Sequence, residues 1–248
     1  MEMKTLYRFS LLQNEKEAFV EKYEQLYFQN SNSYTVDEKI LLGTVLQNKT
    51  EKSVEDYADE VLRKQVLDKR VFLWKAGRLT GKQAKLKDAD SIPQNEIVNG
   101  RGHKIENAEE FINAVNCMEL EKGKKGIDGF ESNYAKILDI AKKKELKYVG
   151  TVYLITVLFF LSNKEYPIYD FFAHRAIKAL YLGKKTVEVF VGAAPDKNEL
   201  DKVFAMYKEY LFLLKQVFGE YSIERNLDRA LWVYGHVNNE GQIFNGKV

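Results

Sequence analysis

Thirteen consecutive residues, Val149 to Leu161, carry no charge and lie between polar, turn-forming stretches. A helix needs about 20 apolar residues to cross a bilayer, so this run suits a buried helix rather than a membrane span. It is apolar on every side, and such a helix must be wrapped by other elements. The rest of the chain has the means to do so. Three prolines in 248 residues leave long stretches free to be helical. A composition of 45% hydrophobic and 30% charged residues is that of an ordinary packed globular protein.

Amphipathic helix signals account for most of the remainder. Glu15 to Gln29 sets Phe19, Tyr23, Leu26 and Tyr27 at helical spacing. Thr35 with Glu38 forms a capping-box signal for a helix with the body Ile40 to Leu46. Ser53 with Asp56 predicts a helix to about Leu67, and Asn107 with Glu110 one to about Met118. Val71 to Arg78 reads as a short helix, followed by a long irregular segment to Gly102. Such a segment inside a compact domain is often functional. Gly123, Gly126 and Gly129 mark a loop before the helical period resumes over Ser132 to Lys144. Asp170 takes the N-cap position of a helix over Phe171 to Tyr181. Thr186 to Val191 alternates as a short strand or an extended linker. Pro195 opens a long helix, Asp196 to Phe218, stopped by Gly219, and Ser222 starts the last, to about Val237. The predicted class is all-α, one unit over residues 1–248.

Several chemistries are unpromising. Cys117 is the lone cysteine, so neither an internal disulfide nor a cysteine-rich zinc or iron–sulfur centre can form. A reducing, cytoplasmic setting fits that composition. His103, His174 and His236 show no ligand spacing with one another or with Cys117, so neither a metal nor a cofactor is expected. Met1 to Thr5 lacks the basic-then-apolar pattern of a signal peptide. The segment from Gly77 to Gly81 lacks the lysine–hydroxyl ending of a phosphate loop. Net charge is only +2, so its distribution is more informative than its sum. Basic residues gather at Arg78, Lys82, Lys85 and Lys87, at Arg101, His103 and Lys104, at Lys122, Lys124 and Lys125, at Lys142, Lys143, Lys144 and Lys147, and at Lys184 and Lys185. Each run alone reads as a solvated helix end; several runs in loops offer a surface to phosphates.

One stretch carries a more specific pattern. Leu146, Lys147, Tyr148, Val149 and Gly150 precede the apolar helix, and Pro167, Ile168, Tyr169 and Asp170 follow it. This order resembles the signature of the helix-hairpin-helix DNA glycosylase superfamily, in which a Leu-Pro-Gly-Val-Gly hairpin, an apolar helix and a short turn lead to a catalytic aspartate. Leu146, Val149 and Gly150 match the hairpin. Asp170 falls where the family's aspartate falls, 18 positions after the residue that is lysine in bifunctional members and is Val152 here. Arg175 matches a basic residue common one turn later. Upstream, Ile40 to Thr50 resembles the family's early helix, whose polar end fills the gap left by an extruded base; Gln47, Asn48 and Lys49 occupy that end. The resemblance covers about Asp37 to Leu67 and Lys144 to Leu180.

The resemblance implies two helical lobes flanking a cleft, with the hairpin and catalytic segment at about residues 144–181. It also implies action on double-stranded DNA; the oligomeric state is left open, with a monomer assumed, and no membrane partner is expected. Leu146, Lys147, Val149, Gly150 and Thr151 would bring backbone N–H groups to a phosphate at a helix N-terminus. Gln47, Asn48, Lys49 and Arg175 would join them on DNA, and His174 and Trp232 would line the base pocket. Asp170, kept ionised by the helix dipole, would stabilise the positive charge that develops on the sugar and orient water. Val152 cannot form a Schiff base, so the activity implied is monofunctional base excision without strand cleavage. Tyr148 stands in place of the first hairpin glycine, which bears on how closely the backbone can approach DNA.

The same residues admit other readings. Asp170 also reads as a plain N-cap, Gln47 and Asn48 as a helix C-terminal turn, and Trp232 and His174 as core or structural residues. A DNA-binding module that has lost its chemistry and a helical protein–protein adaptor are the alternative functions.

Overall fold

The computed structural model describes residues 13–24, 26–27, 51–121, 126–219 and 224–236. Among the described residues there are ten α-helices, three short 3-10 turns and two isolated antiparallel bridges, but no strand. The class is all-α. None of these helices is long and apolar enough to cross a membrane. The predicted cap at Thr35 and Glu38, the helix from Ile40 and the polar tip Gln47, Asn48 and Lys49 lie outside the described residues.

The chain divides into two compact units. The larger comprises residues 51–169 and 194–207. Helix α1 (Gln13–Glu24) belongs to the other unit; this one contains α2 (Lys52–Lys64), α3 (Arg70–Lys75), α4 (Gly81–Ala84), α5 (Ala108–Asn116), α6 (Gly126–Lys143), α7 (Thr151–Leu161) and the first part of the helix Leu200–Phe218. Helix α7 is the predicted apolar helix, beginning two residues later than the uncharged run. Its Leu154, Ile155, Val157, Leu158 and Phe160 are wholly buried, and α2, α3 and α6 pack against it. Each such side chain contributes roughly 1.5–3 kcal/mol by leaving water. Helix α2 presents Val54, Tyr57, Ala58, Val61 and Leu62 on its buried face, at helical spacing.

The first part of the irregular segment after Arg78 is held by a buried cation. Arg70 forms a two-pronged pair with Asp68, at 3.1 and 2.6 Å. Its other end donates to the carbonyls of Gln83 and Leu86 at 3.2 and 2.8 Å. Tyr57 adds a hydroxyl bond to Asp68 at 3.1 Å, and burial holds that phenol well above its ordinary pKa. Helix α4 in this segment is closed by a capping box between Thr80 and Gln83.

Several predicted helix ends shift. Ser53 sits inside the first turn of α2, whose N-cap is Glu51 with no side-chain bond. Asn107 precedes α5 in a left-handed conformation and spends its amide on the carbonyl of Glu145, at 3.1 Å. Gly126 and Gly129 belong to α6 rather than to a loop, with Gly129 buried on its packed face. Helix α8 (Phe171–Leu182) starts where expected, after Asp170. The alternation at Thr186 to Val191 gives no strand; a 3-10 turn over Thr186–Glu188 precedes an extended stretch. Helix α9 (Leu200–Phe218) starts later than Pro195 suggests, because Asp196 bonds the N–H of Asn198 at 2.9 Å in a turn of its own.

The other unit comprises the described residues of 13–27, then 170–193, 208–219 and 224–236. Its helices are α1, α8, the latter part of α9 and α10 (Arg225–Gly235). Helix α10 packs against both α1 and α8. An aromatic nest of Phe19, Tyr23 and Tyr234 joins α1 to α10, with ring centroids 5.0–5.5 Å apart. Arg229 pairs with Glu24 across the same seam at 2.7 Å. Against α8 the approach is so close that a Cβ on Gly235 would collide with the carbonyl of Phe172. Only glycine fits there.

Candidate active site and nucleic-acid interface

Asp170 lies at the N-terminus of α8 because its side chain satisfies that helix: Oδ1 accepts the N–H of Phe172 at 2.9 Å. The carboxylate is half-buried. The next residues turn toward the end of α10. Phe172 stacks on the imidazole of His236, with centroids 3.4 Å apart at 24°. Trp232, one turn earlier on α10, has its ring 4.0 Å from the same imidazole and meets Tyr27 edge-on at 5.6 Å. His236 Nδ1 lies 2.7 Å from the carbonyl of Trp232. A carbonyl can only accept, so Nδ1 carries the proton and Nε2 is the acceptor in the neutral ring.

Burial pushes the His236 pKa down, against upward pulls from the Trp232 carbonyl and from Asp170; Arg175 adds to the downward push. Arg175 itself donates through Nε and Nη2 to the carbonyl of Gly235, the Nε bond being 3.0 Å. It thereby closes the C-terminal end of α10, and burial lowers its pKa as well. Its guanidinium lies 5.4 Å from the ring centre of Phe172. The result is a carboxylate beside a neutral histidine, a cation and two aromatic rings. A planar base could stack against such rings, and the carboxylate suits developing positive charge on a sugar.

The sequence-predicted residues of this region divide. Asp170, Arg175 and Trp232 share the cluster, with His236 as the group that all three touch or influence. His174 does not join them. It is buried on the side of α8 that meets α9, with its ring edge-on to Tyr210 at 5.6 Å and Nε2 3.8 Å from Glu209. Burial lowers its pKa to about 4, against the pull of Glu209, which Lys178 pairs at 2.7 Å. His236 and Phe172 were not predicted as site residues. The available signal was the four-residue spacing from Trp232 to His236, which puts both on one helix face.

The hairpin belongs to the larger unit. Helix α6 ends with Glu145 in the left-handed region at φ 52°, and the N–H of Leu146 reaches back to Ala141 at 2.8 Å. Leu146 and Val149 are buried anchors, whereas Lys147, Tyr148 and Gly150 are exposed. Tyr148 adopts φ 62° and is 53% exposed. The backbone thus takes a left-handed turn at the position where the hairpin motif has glycine, although the residue is tyrosine. Gly150 is extended, at φ −97°, and adds no side-chain cap to α7. The N–H groups of Tyr153 and Leu154 reach the carbonyl of Gly150, at 3.1 and 3.4 Å, so those of Thr151 and Val152 are the ones that the helix itself leaves without an acceptor. Lys147 pairs with Glu106 at 2.8 Å. Thr151 is buried, and its hydroxyl donates to the carbonyl of Pro195 at 2.6 Å, so its side chain faces the interior. Val152 is half-buried in the first turn of α7.

No group of three or more His, Cys, Asp or Glu side chains able to hold a metal ion occurs among the described residues. Compared with known protein families, with curated proteins and with solved structures, the chain matches none.

Proposed function

We propose that the chain is a monofunctional DNA N-glycosylase of the helix-hairpin-helix kind, built as two helical lobes, that extrudes a modified or mismatched base. The observation that carries this reading is the half-buried Asp170 carboxylate at the head of α8, beside Phe172, Trp232 and neutral His236. It follows the hairpin and apolar helix in the order that the motif requires. In the reaction the bond from C1′ to the base nitrogen breaks and its electron pair leaves with the base, which takes up a proton. Asp170 stabilises the cationic sugar, and the oxygen of water adds to C1′ as its proton passes to the carboxylate. With Val152 at the lysine position, no amine is available there to form a covalent Schiff base.

A panel of duplexes, each bearing one damaged or mismatched base, tests the reading. Base release from a member of the panel is expected, lost in Asp170→Asn with the circular dichroism spectrum unchanged. Borohydride should trap no covalent complex; a trapped species removes the monofunctional assignment. The second reading, a DNA-binding module without chemistry, draws on the cap roles that Asp170 and Arg175 already fill. Duplex binding indifferent to Asp170→Asn, with no base release across the panel, selects it.

A further inference from the structure

The loop over residues 98–104 is held by three bonds, one to the hairpin, one to the first turn of α7 and one to Arg78. Asn99 is 9% exposed, and its amide donates to the carbonyl of Tyr148 at 3.0 Å. The same side chain accepts the N–H groups of Arg101 and His103, at 2.9 and 3.0 Å, which shapes the loop. The N–H of Gly100 donates to the hydroxyl of Tyr153, in the first turn of α7, at 2.8 Å. Arg78 donates from outside to the carbonyl of Gly100 at 3.2 Å. The loop closes on itself through Asn99 and His103, and Gly102 takes φ 83° at its tip.

This fastening holds a set of exposed cations against the positive end of α7. Arg78, Arg101 and Lys104 are these cations, with the exposed imidazole of His103 among them, and no acidic side chain pairs with the three among the described residues. The nearby acid Glu106 is occupied by Lys147. Between loop and helix stands Tyr148, whose ring lies 5.6 Å from that of His103. An exposed aromatic held in a left-handed conformation has no packing reason to be there. Conformational strain of this kind gathers where function needs it. Cations at the N-terminal end of a helix and an exposed ring together suit a phosphodiester strand with its sugars and bases.

We infer that the 98–104 loop, with Arg78 and Tyr148, is a second DNA-binding arm: its cations meet backbone phosphates of the duplex beside those the hairpin would take, and Tyr148 lies against the strand between them. The inference rests on the DNA reading of the hairpin but not on catalysis by Asp170. It adds residues that the hairpin motif does not contain.

The test is fluorescence anisotropy of the full chain with a labelled 20-base-pair duplex, over salt from about 50 to 300 mM. Arg101→Ala with Lys104→Ala should weaken binding about tenfold or more at the middle of that range. It should also flatten the log–log salt dependence by about 2, one unit per lost phosphate contact. Tyr148→Gly should weaken binding severalfold while its melting temperature stays at or above the parent's, because glycine relieves the left-handed backbone. That pairing separates contact from fold. Lys184→Ala with Lys185→Ala removes equal charge from the other unit and controls for net charge. Parental affinity and slope in both the loop and the tyrosine variants overturn the arm and leave the hairpin reading standing. No duplex binding by the parent at any salt overturns both. Arm-dependent binding with no base release upholds the arm and removes the enzyme.

Discussion

The Asp170 cluster and the hairpin surface dispose the same kinds of residue in opposite ways. Around Asp170 the polar groups are turned inward: Arg175 closes a helix end, His236 bonds a carbonyl of its own helix, and burial shifts both toward neutrality. Around Tyr148 the cations face solvent, and the backbone itself takes the less favourable conformation. Chemistry on a sugar needs a group whose charge is poorly screened, and that requires burial. Holding a phosphate strand needs charge that can be reached, and that requires exposure. On the proposed reading an arginine therefore serves differently in the two places, and composition alone does not separate half-buried Arg175 from exposed Arg101.

The contrast can be broken by substitution, beginning where packing is tightest. Gly235→Ala forces a methyl group against the Phe172 carbonyl, backbone against backbone, and should cost about 3 kcal/mol. Thermal melting would show a fall of several degrees; an unchanged melting temperature means α8 and α10 are less closely apposed than described.

The next effect is electrostatic and runs with pH. His174 has a folded pKa of about 4 against an ordinary 6.5, so the unfolded chain takes up its proton first as pH falls. Stability from this group is complete above about 6.5 and drains as pH drops toward 4, by roughly 3 kcal/mol over that window. Glu209, Lys178 and Tyr210 face the ring, and His174→Gln should flatten this limb of the pH–stability curve. A limb equally steep in the variant assigns the loss to other groups.

On the hairpin side, Asn99→Ala strips the acceptor from two N–H groups and should cost about 1–2 kcal/mol, read by urea denaturation. The smallest effect has the opposite sign. Tyr148→Gly should gain about 0.5–1 kcal/mol by removing left-handed strain. If it destabilises instead, the ring is a packing element and the comparison loses its sharper half.

The elements most legible in the sequence were those whose local and long-range demands agree. An uncharged run of residues 149–161 has one reasonable fate, and α7 is buried as such a run should be. Asp170 followed by Phe171 and Phe172 gives a cap and a buried face together, and α8 starts there. Asn107 shows the opposite case. It had the composition of a cap, but tertiary structure offered its amide the carbonyl of Glu145, and a left-handed turn resulted. Gly126 and Gly129 look like loop residues until Phe130 is stacked on Tyr207 at 3.7 Å, which makes close packing of that helix worth more than its propensity cost. Of the candidate site, the resemblance names Asp170 and Arg175, and Trp232 is named as an aromatic able to stack on a base. His236 lies beyond the residues that the resemblance covers, and only its spacing from Trp232 marks it out on its own helix. Nothing local tells that Asn99 reaches Tyr148, since the partners are 49 residues apart.

The brace beneath the hairpin bears on the order in which the protein can be made. The carbonyl of Leu146 receives the ammonium of Lys197 at 3.2 Å, Thr151 bonds Pro195, and Tyr207 both stacks on Phe130 and bonds the carbonyl of Pro167 at 2.8 Å. A chain emerging from the ribosome has therefore written the hairpin long before it can write the brace. Residues 170–193, which belong to the other unit, come out between the two. The larger unit is thus discontinuous in time as well as in sequence, and a nascent chain halted after Tyr169 presents a hairpin still waiting for its last support.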